Sequence, residues 1–135
     1  MLGLILISHG SLAAGMREAA EMILGDQEDL IVLGLYPGDT VEDFSEKLER
    51  AIRCFEDPGR VLILSDLPSG TPSNTANRMV LQHHVRCLSG CNLPMLLEVL
   101  SCRTDETVDE MAKLAIAAAK DGLIDSKELM ERLKT

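Results

Sequence analysis

The stretch LILISHGSLAAGM, residues 4–16, decides how the chain reads. Leu4 to Ile7 are apolar without alternation, and Ser8 and His9 follow. A strand that is apolar on both faces belongs in a sheet covered on both sides. Gly10 breaks the run, and Leu12, Met16, Ala19, Ala20 and Ile23 then recur at helical spacing until Gly25. The stretch is therefore a buried strand handing over to a helix. One of only three histidines in the chain stands at the junction.

The same alternation continues outward. Leu30–Leu35 reads as a second strand, closed by Pro37-Gly38. Thr40 and Asp43 have the spacing of a capping box, and Val41, Phe44, Leu48, Ile52 and Phe55 form one apolar stripe. Asp57-Pro58-Gly59 is a turn, Val61–Leu64 a third strand, and Asp66 follows its end. The loop LPSGTPSN leads to a helix predicted from about Thr75 to His83, and Val85–Leu88 to a fourth strand. Asn92 can cap the next helix, with Pro94 in its first turn. A long helix is predicted over Glu106–Lys120, ended by Gly122. The last residues, DSKELMERLKT, read as an amphipathic helical tail capped by Ser126, with room for a short antiparallel strand near Leu123–Ile124. The expectation is a single α/β domain over residues 1–135: three α/β/α layers around a mainly parallel four-stranded sheet.

Composition agrees. A chain of 135 residues can bury about two-thirds of its unfolded surface and needs no staple. Its core must be aliphatic, because Tyr36, Phe44 and Phe55 are the only aromatic residues. A net charge of −9 sets nucleic acid aside, since that affinity begins with Lys and Arg on phosphates. An acidic surface suits a basic protein partner instead. Residues 2–7 are too short an apolar run for a signal core or a membrane span, so a cytoplasmic protein with reduced thiols is expected. His83, His84, Cys87 and Cys91 cluster in sequence, but their spacing matches no zinc module and a strand would separate them; no metal is expected.

In a parallel sheet, ligands bind beyond the carboxyl ends of the strands, where the winding reverses. His9, Asp66 and the Ser89–Asn92 loop all fall on that edge. A histidine there can be a general base, a metal ligand or a covalent nucleophile, and each role needs one fixed tautomer. Asp66 is the carboxylate that could fix it. Ser8 could pair with His9, although neighbours at a strand end need not face each other. Both HGSL and SGTPSN enter helices, whose free N–H groups favour phosphate-like anions, and Gly10 and Gly70 allow close approach. Those loops suggest a phosphoryl group on the ring. No Walker loop is present, which disfavours direct nucleotide chemistry. Spacing alone leaves the roles of His9 open.

Four stretches carry a resemblance: LILISHGSLAAGM (4–16), GLYPGD (34–39), LILSDLPSGTPSNTAN (62–77) and LSGCNLPMLLEVL (88–100). In that order they resemble the IIA component of the mannose-type sugar phosphotransferase system, over about residues 1–121. The resemblance implies phosphorylation of His9, with Asp66 orienting its ring. It implies a phosphate site lined by Gly10, Ser11, Gly70 and Thr71, with Asn92 in the neighbouring loop. It implies phosphoryl transfer from the carrier HPr to a IIB component that serves a membrane permease, no cofactor, and a homodimer. No linker to a IIB domain follows, so a free-standing IIA is expected. Pro68, Ser69 and Ser73 depart from the pattern, which has bulky residues at the first and last of these places, and all three are expected at the rim of the site. Two alternatives remain: the phosphocarrier domain of a dihydroxyacetone kinase system, and a regulatory module of the same fold that no longer transfers phosphate. A flavodoxin-like redox protein is disfavoured by the lack of aromatic residues to hold a flavin.

Overall fold

The computed structural model describes residues 1–134. In chain order the elements are β1 (Gly3–His9), α1 (Leu12–Leu24), β2 (Leu30–Leu35), α2 (Val41–Arg53), β3 (Val61–Ser65), α3 (Thr71–His83), β4 (Arg86–Ser89), α4 (Leu93–Cys102), α5 (Val108–Asp121) and α6 (Ser126–Leu133). A short 3-10 turn, Pro58–Arg60, leads into β3. The four strands form one sheet in the order β2-β1-β3-β4, every pair parallel. Leu4 stands beside Leu30 on one side and Leu62 on the other, and Leu62 beside Arg86.

Strand alternation sorts the apolar side chains into two cores. Leu4, Leu6, Leu62, Leu64 and Leu88 pack with residues of α1, α4 and α5. Ile5, Ile7, Val61 and Ile63 pack with Phe44, Leu48 and Ile52 of α2 and Ala76 and Met79 of α3. Three layers result, because both faces of β1 and β3 are apolar and both demand cover.

The helix ends follow local chemistry. Thr40 Oγ1 accepts the Asp43 N–H at 3.0 Å, with Glu42 and Asp43 in the first turn of α2 and Arg50 and Arg53 in its last, so the charges complement the helix dipole. Thr107 caps α5 through the Glu110 N–H. Gly122 ends α5 against Pro94, where a Cβ would come within 2.4 Å of the proline Cγ.

Several boundaries differ from expectation. α3 begins at Thr71 rather than Thr75, because Gly70 turns the chain at a φ of 96° and Pro72 presets the first helical turn. β4 lies one residue later than predicted, and α5 begins at Val108 because Thr107 supplies its cap. Asp125 rather than Ser126 caps α6, accepting the Lys127 and Glu128 N–H groups. The short antiparallel strand at Leu123–Ile124 does not form among the described residues. Only Leu123–Asp125 separates Gly122 from α6, and Asp125 is committed to the cap. Thr135, the last residue of the expected tail, lies outside the described residues.

Arg103 ties the opposite end of the sheet together. It is buried, and its guanidinium donates to the carbonyls of Leu2 (3.3 Å), Asp29 (3.0 Å) and Glu28. This closes the α1–β2 connection over the amino ends of β1 and β2.

Candidate functional site

The winding reverses at β1: β2 lies to one side of it and β3 to the other. The carboxyl ends of β1 and β3 therefore flank the switch point where such sheets bind ligands. His9 is the last residue of β1, and Asp66 follows the last residue of β3.

The β1–α1 turn is held from beneath. Ser8 is buried, and its Oγ accepts the Ala13 N–H at 2.8 Å and donates to the Gly10 carbonyl at 3.3 Å. The Ser8 hydroxyl thus belongs to the start of α1 and does not pair with His9. Gly10 adopts a φ of 55°, and its N–H reaches the Leu35 carbonyl at 2.7 Å. Gly34 lets that turn approach β2, since a Cβ there would lie 2.3 Å from the Gly10 carbonyl oxygen. The turn projects His9 outward, with its side chain 48% exposed.

Asp66 holds His9 twice with one oxygen. Its Oδ2 accepts the His9 backbone N–H at 3.0 Å and lies 2.8 Å from the ring Nδ1. Its Oδ1 accepts the Leu67 N–H at 2.9 Å. Burial opposes ionisation of Asp66, but the hydrogen bonds from His9 and Leu67 outweigh it and hold the carboxyl below its usual value. An ionised carboxylate can only accept, so Nδ1 carries the hydrogen, and in the neutral ring Nε2 is the nitrogen that presents a lone pair. Gly70 lies against that side of the ring: a Cβ there would stand 3.0 Å from Cε1 and 3.2 Å from Nε2.

Gly70 is also the N-terminal boundary of α3, with Thr71 its first residue. The first N–H groups of a helix lack intrahelical partners, so this end presents partial positive charge beside the ring. Ser11, at the start of α1, makes no capping bond with its hydroxyl. Asn92 is occupied elsewhere. Its Oδ1 accepts the Met95 N–H at 3.0 Å and its Nδ2 donates to the Ala119 carbonyl at 3.0 Å, so its amide joins α4 to α5. Pro68 and Ser69 are exposed as expected of a rim, whereas Ser73 is fully buried beneath the loop. Its burial follows from the early start of α3, which turns residue 73 inward, and no residue of TPSN signals that burial.

Among the described residues no three metal-ligating side chains come together. His83 faces Glu49, with Nε2 3.3 Å from Oε1, while Cys87 and Cys91 pack against opposite cores. Burial pushes the two thiols up to about 11 and about 12.

A family model described as the PTS system fructose IIA component, EIIA-man, matches residues 3–116. The chain belongs to the EIIA-man family. It is 32% identical over 124 residues to the PTS system mannose-specific EIIAB component of Escherichia coli K12, covering 90% of this chain and 38% of that protein. It is 29% identical to the PTS system fructose-specific EIIA component of Bacillus subtilis, covering 100% of this chain and 93% of that one. Phosphotransferase system component EIIA from Streptococcus agalactiae superposes with a TM-score of 0.88 at 30% identity, over 95% of this chain and 99% of that one. The mannose/sorbose-specific IIA subunit from Enterococcus faecalis gives 0.84 at 28% identity, over 92% and 93%. The chain thus matches the IIA part of these mannose-, fructose- and sorbose-specific systems, and spans little more than a third of the mannose-specific EIIAB relative. No described helix of this EIIA-man chain is long and apolar enough to cross a membrane.

Proposed function

We propose that the chain is a phosphoryl carrier: His9 accepts a phosphoryl group on Nε2 from phospho-HPr and passes it to a IIB component during sugar uptake. The observation that carries this reading is the His9–Asp66 pair, which commits Nδ1 as donor and leaves Nε2 open beside Gly70. The Nε2 lone pair attacks phosphorus, and the bond from phosphorus to its donor breaks, its electron pair leaving with the donor. The ring keeps its Nδ1 hydrogen, becomes cationic, and leans on the Asp66 carboxylate. Onward transfer reverses these roles.

Such transfer is mostly positioning and charge stabilisation. Gly70 admits the phosphoryl group close to backbone, Thr71 opens the amino end of α3, and Gly10 and Ser11 open that of α1. Asn92 keeps a scaffold role in this reading. We include a homodimer working in the cytoplasm. Ile116, Leu123, Ile124 and Leu133 are exposed near the carboxyl end and give a second copy apolar surface to cover; sedimentation velocity tests this.

A chase experiment tests the carrier role. Chain labelled by phospho-HPr is freed of donor and mixed with a purified IIB of the mannose family. Label moving to IIB supports the reading. Label that stays on the chain, or moves to ADP with a dihydroxyacetone kinase partner, overturns it in favour of the regulatory module or the kinase phosphocarrier.

A further inference from the structure

We infer that Ser73, acting with Ser65 and Ser89, is a positioning residue for the His9–Asp66 pair, because a buried hydroxyl cluster fixes the loop that presents the carboxylate. Its kinetic consequence rests on the phosphoryl-carrier reading; its effect on ring geometry does not.

The three serines come from separate elements: Ser65 ends β3, Ser73 lies in the first turn of α3, and Ser89 ends β4. Ser65 and Ser73 are both wholly buried. Ser73 Oγ is 2.5 Å from Ser65 Oγ and 3.5 Å from Ser89 Oγ. Ser73 donates to the Leu67 carbonyl, which Ser65 Oγ also approaches at 3.3 Å. Buried hydroxyls need partners, and these find theirs in one another and in that carbonyl.

Leu67 is therefore gripped at both ends. Its carbonyl is tied down to the serines, and its N–H donates to Asp66 Oδ1 at 2.9 Å. Ser65 Oγ lies 3.5 Å from Asp66 Oδ1, but its one hydrogen goes to Ser73 Oγ, so the Leu67 N–H is the bond that holds Oδ1. The Leu67 bond on Oδ1 holds the carboxylate in the orientation that aims Oδ2 at the His9 N–H and Nδ1. The same grip fixes the loop between Leu67 and Gly70, whose backbone lies against the ring. Removing the Ser73 hydroxyl frees the Leu67 carbonyl and lets Asp66 turn. The hydroxyl stands where the resembling pattern commonly has a bulky aromatic residue.

The test compares wild type, Ser73→Ala and Ser73→Thr, with histidine labelled by nitrogen-15. Imidazole nitrogen shifts read the share of His9 carrying its hydrogen on Nδ1, and labelling by phospho-HPr reads the rate. Ser73→Ala is expected to lower the Nδ1–H share and to slow labelling roughly three- to tenfold, the range of one net hydrogen bond. Ser73→Thr keeps the hydroxyl and is expected to hold both near wild type. A folded Ser73→Ala with the wild-type tautomer and rate overturns the inference, as does a folded Ser73→Thr equally impaired. Should Ser73→Ala fail to fold, Ser65→Ala carries the same expectation, and an unchanged ring in it is equally decisive against the cluster. A shifted tautomer with no labelling of any variant, wild type included, upholds the positioning role and rejects the carrier reading.

Discussion

One carboxylate oxygen of Asp66 holds both the backbone N–H of His9, at 3.0 Å, and its ring Nδ1, at 2.8 Å. The backbone bond fixes where the strand ends, and the ring bond fixes which nitrogen faces out. Placement and tautomer of His9 therefore depend on a single group.

Asp66→Asn keeps the shape but removes the charge. A hydrogen bond to a charged group is worth about 1.5–3 kcal/mol, so phosphorylation of His9 should slow roughly ten- to hundredfold. Folding should suffer less, since the neutral amide can still accept the His9 N–H. Labelling rate and urea denaturation of the same preparation check the split; equal rates in variant and wild type would remove Asp66 from the account.

The depressed carboxyl of Asp66 also sets a pH dependence. Its folded value lies below the unfolded one, which is about 3.9. Ionised Asp66 therefore contributes its full stability above that pH and loses it as pH falls through the folded value. The stability that the ionised carboxylate adds over Asp66→Asn should shrink as pH falls below about 4. Urea titrations at a series of pH values measure this, and a gap that holds or widens below about pH 4 contradicts it.

Gly70→Ala should strike the ring directly. The backbone φ of 96° and ψ of 172° belong to a region that is essentially glycine's, at a cost of about 1–3 kcal/mol for another residue. The added Cβ would also press on His9 Cε1 and Nε2. A lower melting temperature together with a fall in labelling rate is expected. Unchanged labelling would mean that the Nε2 side of the ring is not the reacting side.

Arg103 offers the opposite separation. Arg103→Met leaves the carbonyls of Leu2, Glu28 and Asp29 without their buried donor, at about 1–3 kcal/mol each. Stability should fall by about 3 kcal/mol or more. The labelling rate well below the melting point should hold, because these carbonyls lie at the far end of the strands from His9. Loss of rate in a folded variant would contradict that division.

Thiol reactivity reports the two cores. Cys87 and Cys91, raised by burial to about 11 and about 12, hold almost no thiolate at pH 8. Exposed Cys54 should alkylate first under native conditions. Mass mapping after brief iodoacetamide treatment reads the order, and fast labelling of Cys91 would contradict its packing.

The layers and the His9–Asp66 meeting were legible because they rest on periodicity. Unbroken apolar strands require a doubly covered parallel sheet, and such a sheet brings its strand ends to one edge. Details set by turns were not legible. Nothing in TPSN announces that Gly70 would start α3 four residues early and carry Ser73 from the expected rim into the interior. Asn92 shares the loop edge with His9, but capping and the contact across 27 residues to Ala119 claimed its amide. Ser126 and Asp125 are both good caps, and only backbone geometry chose between them.

The most direct measurement is the intact mass of the chain after incubation with phosphoenolpyruvate, enzyme I and HPr, run beside His9→Ala. The account predicts one acid-labile phosphoryl group on wild type and none on the variant. Phosphate retained on His9→Ala, or a wild-type chain left bare while a known IIA is fully labelled, would contradict it.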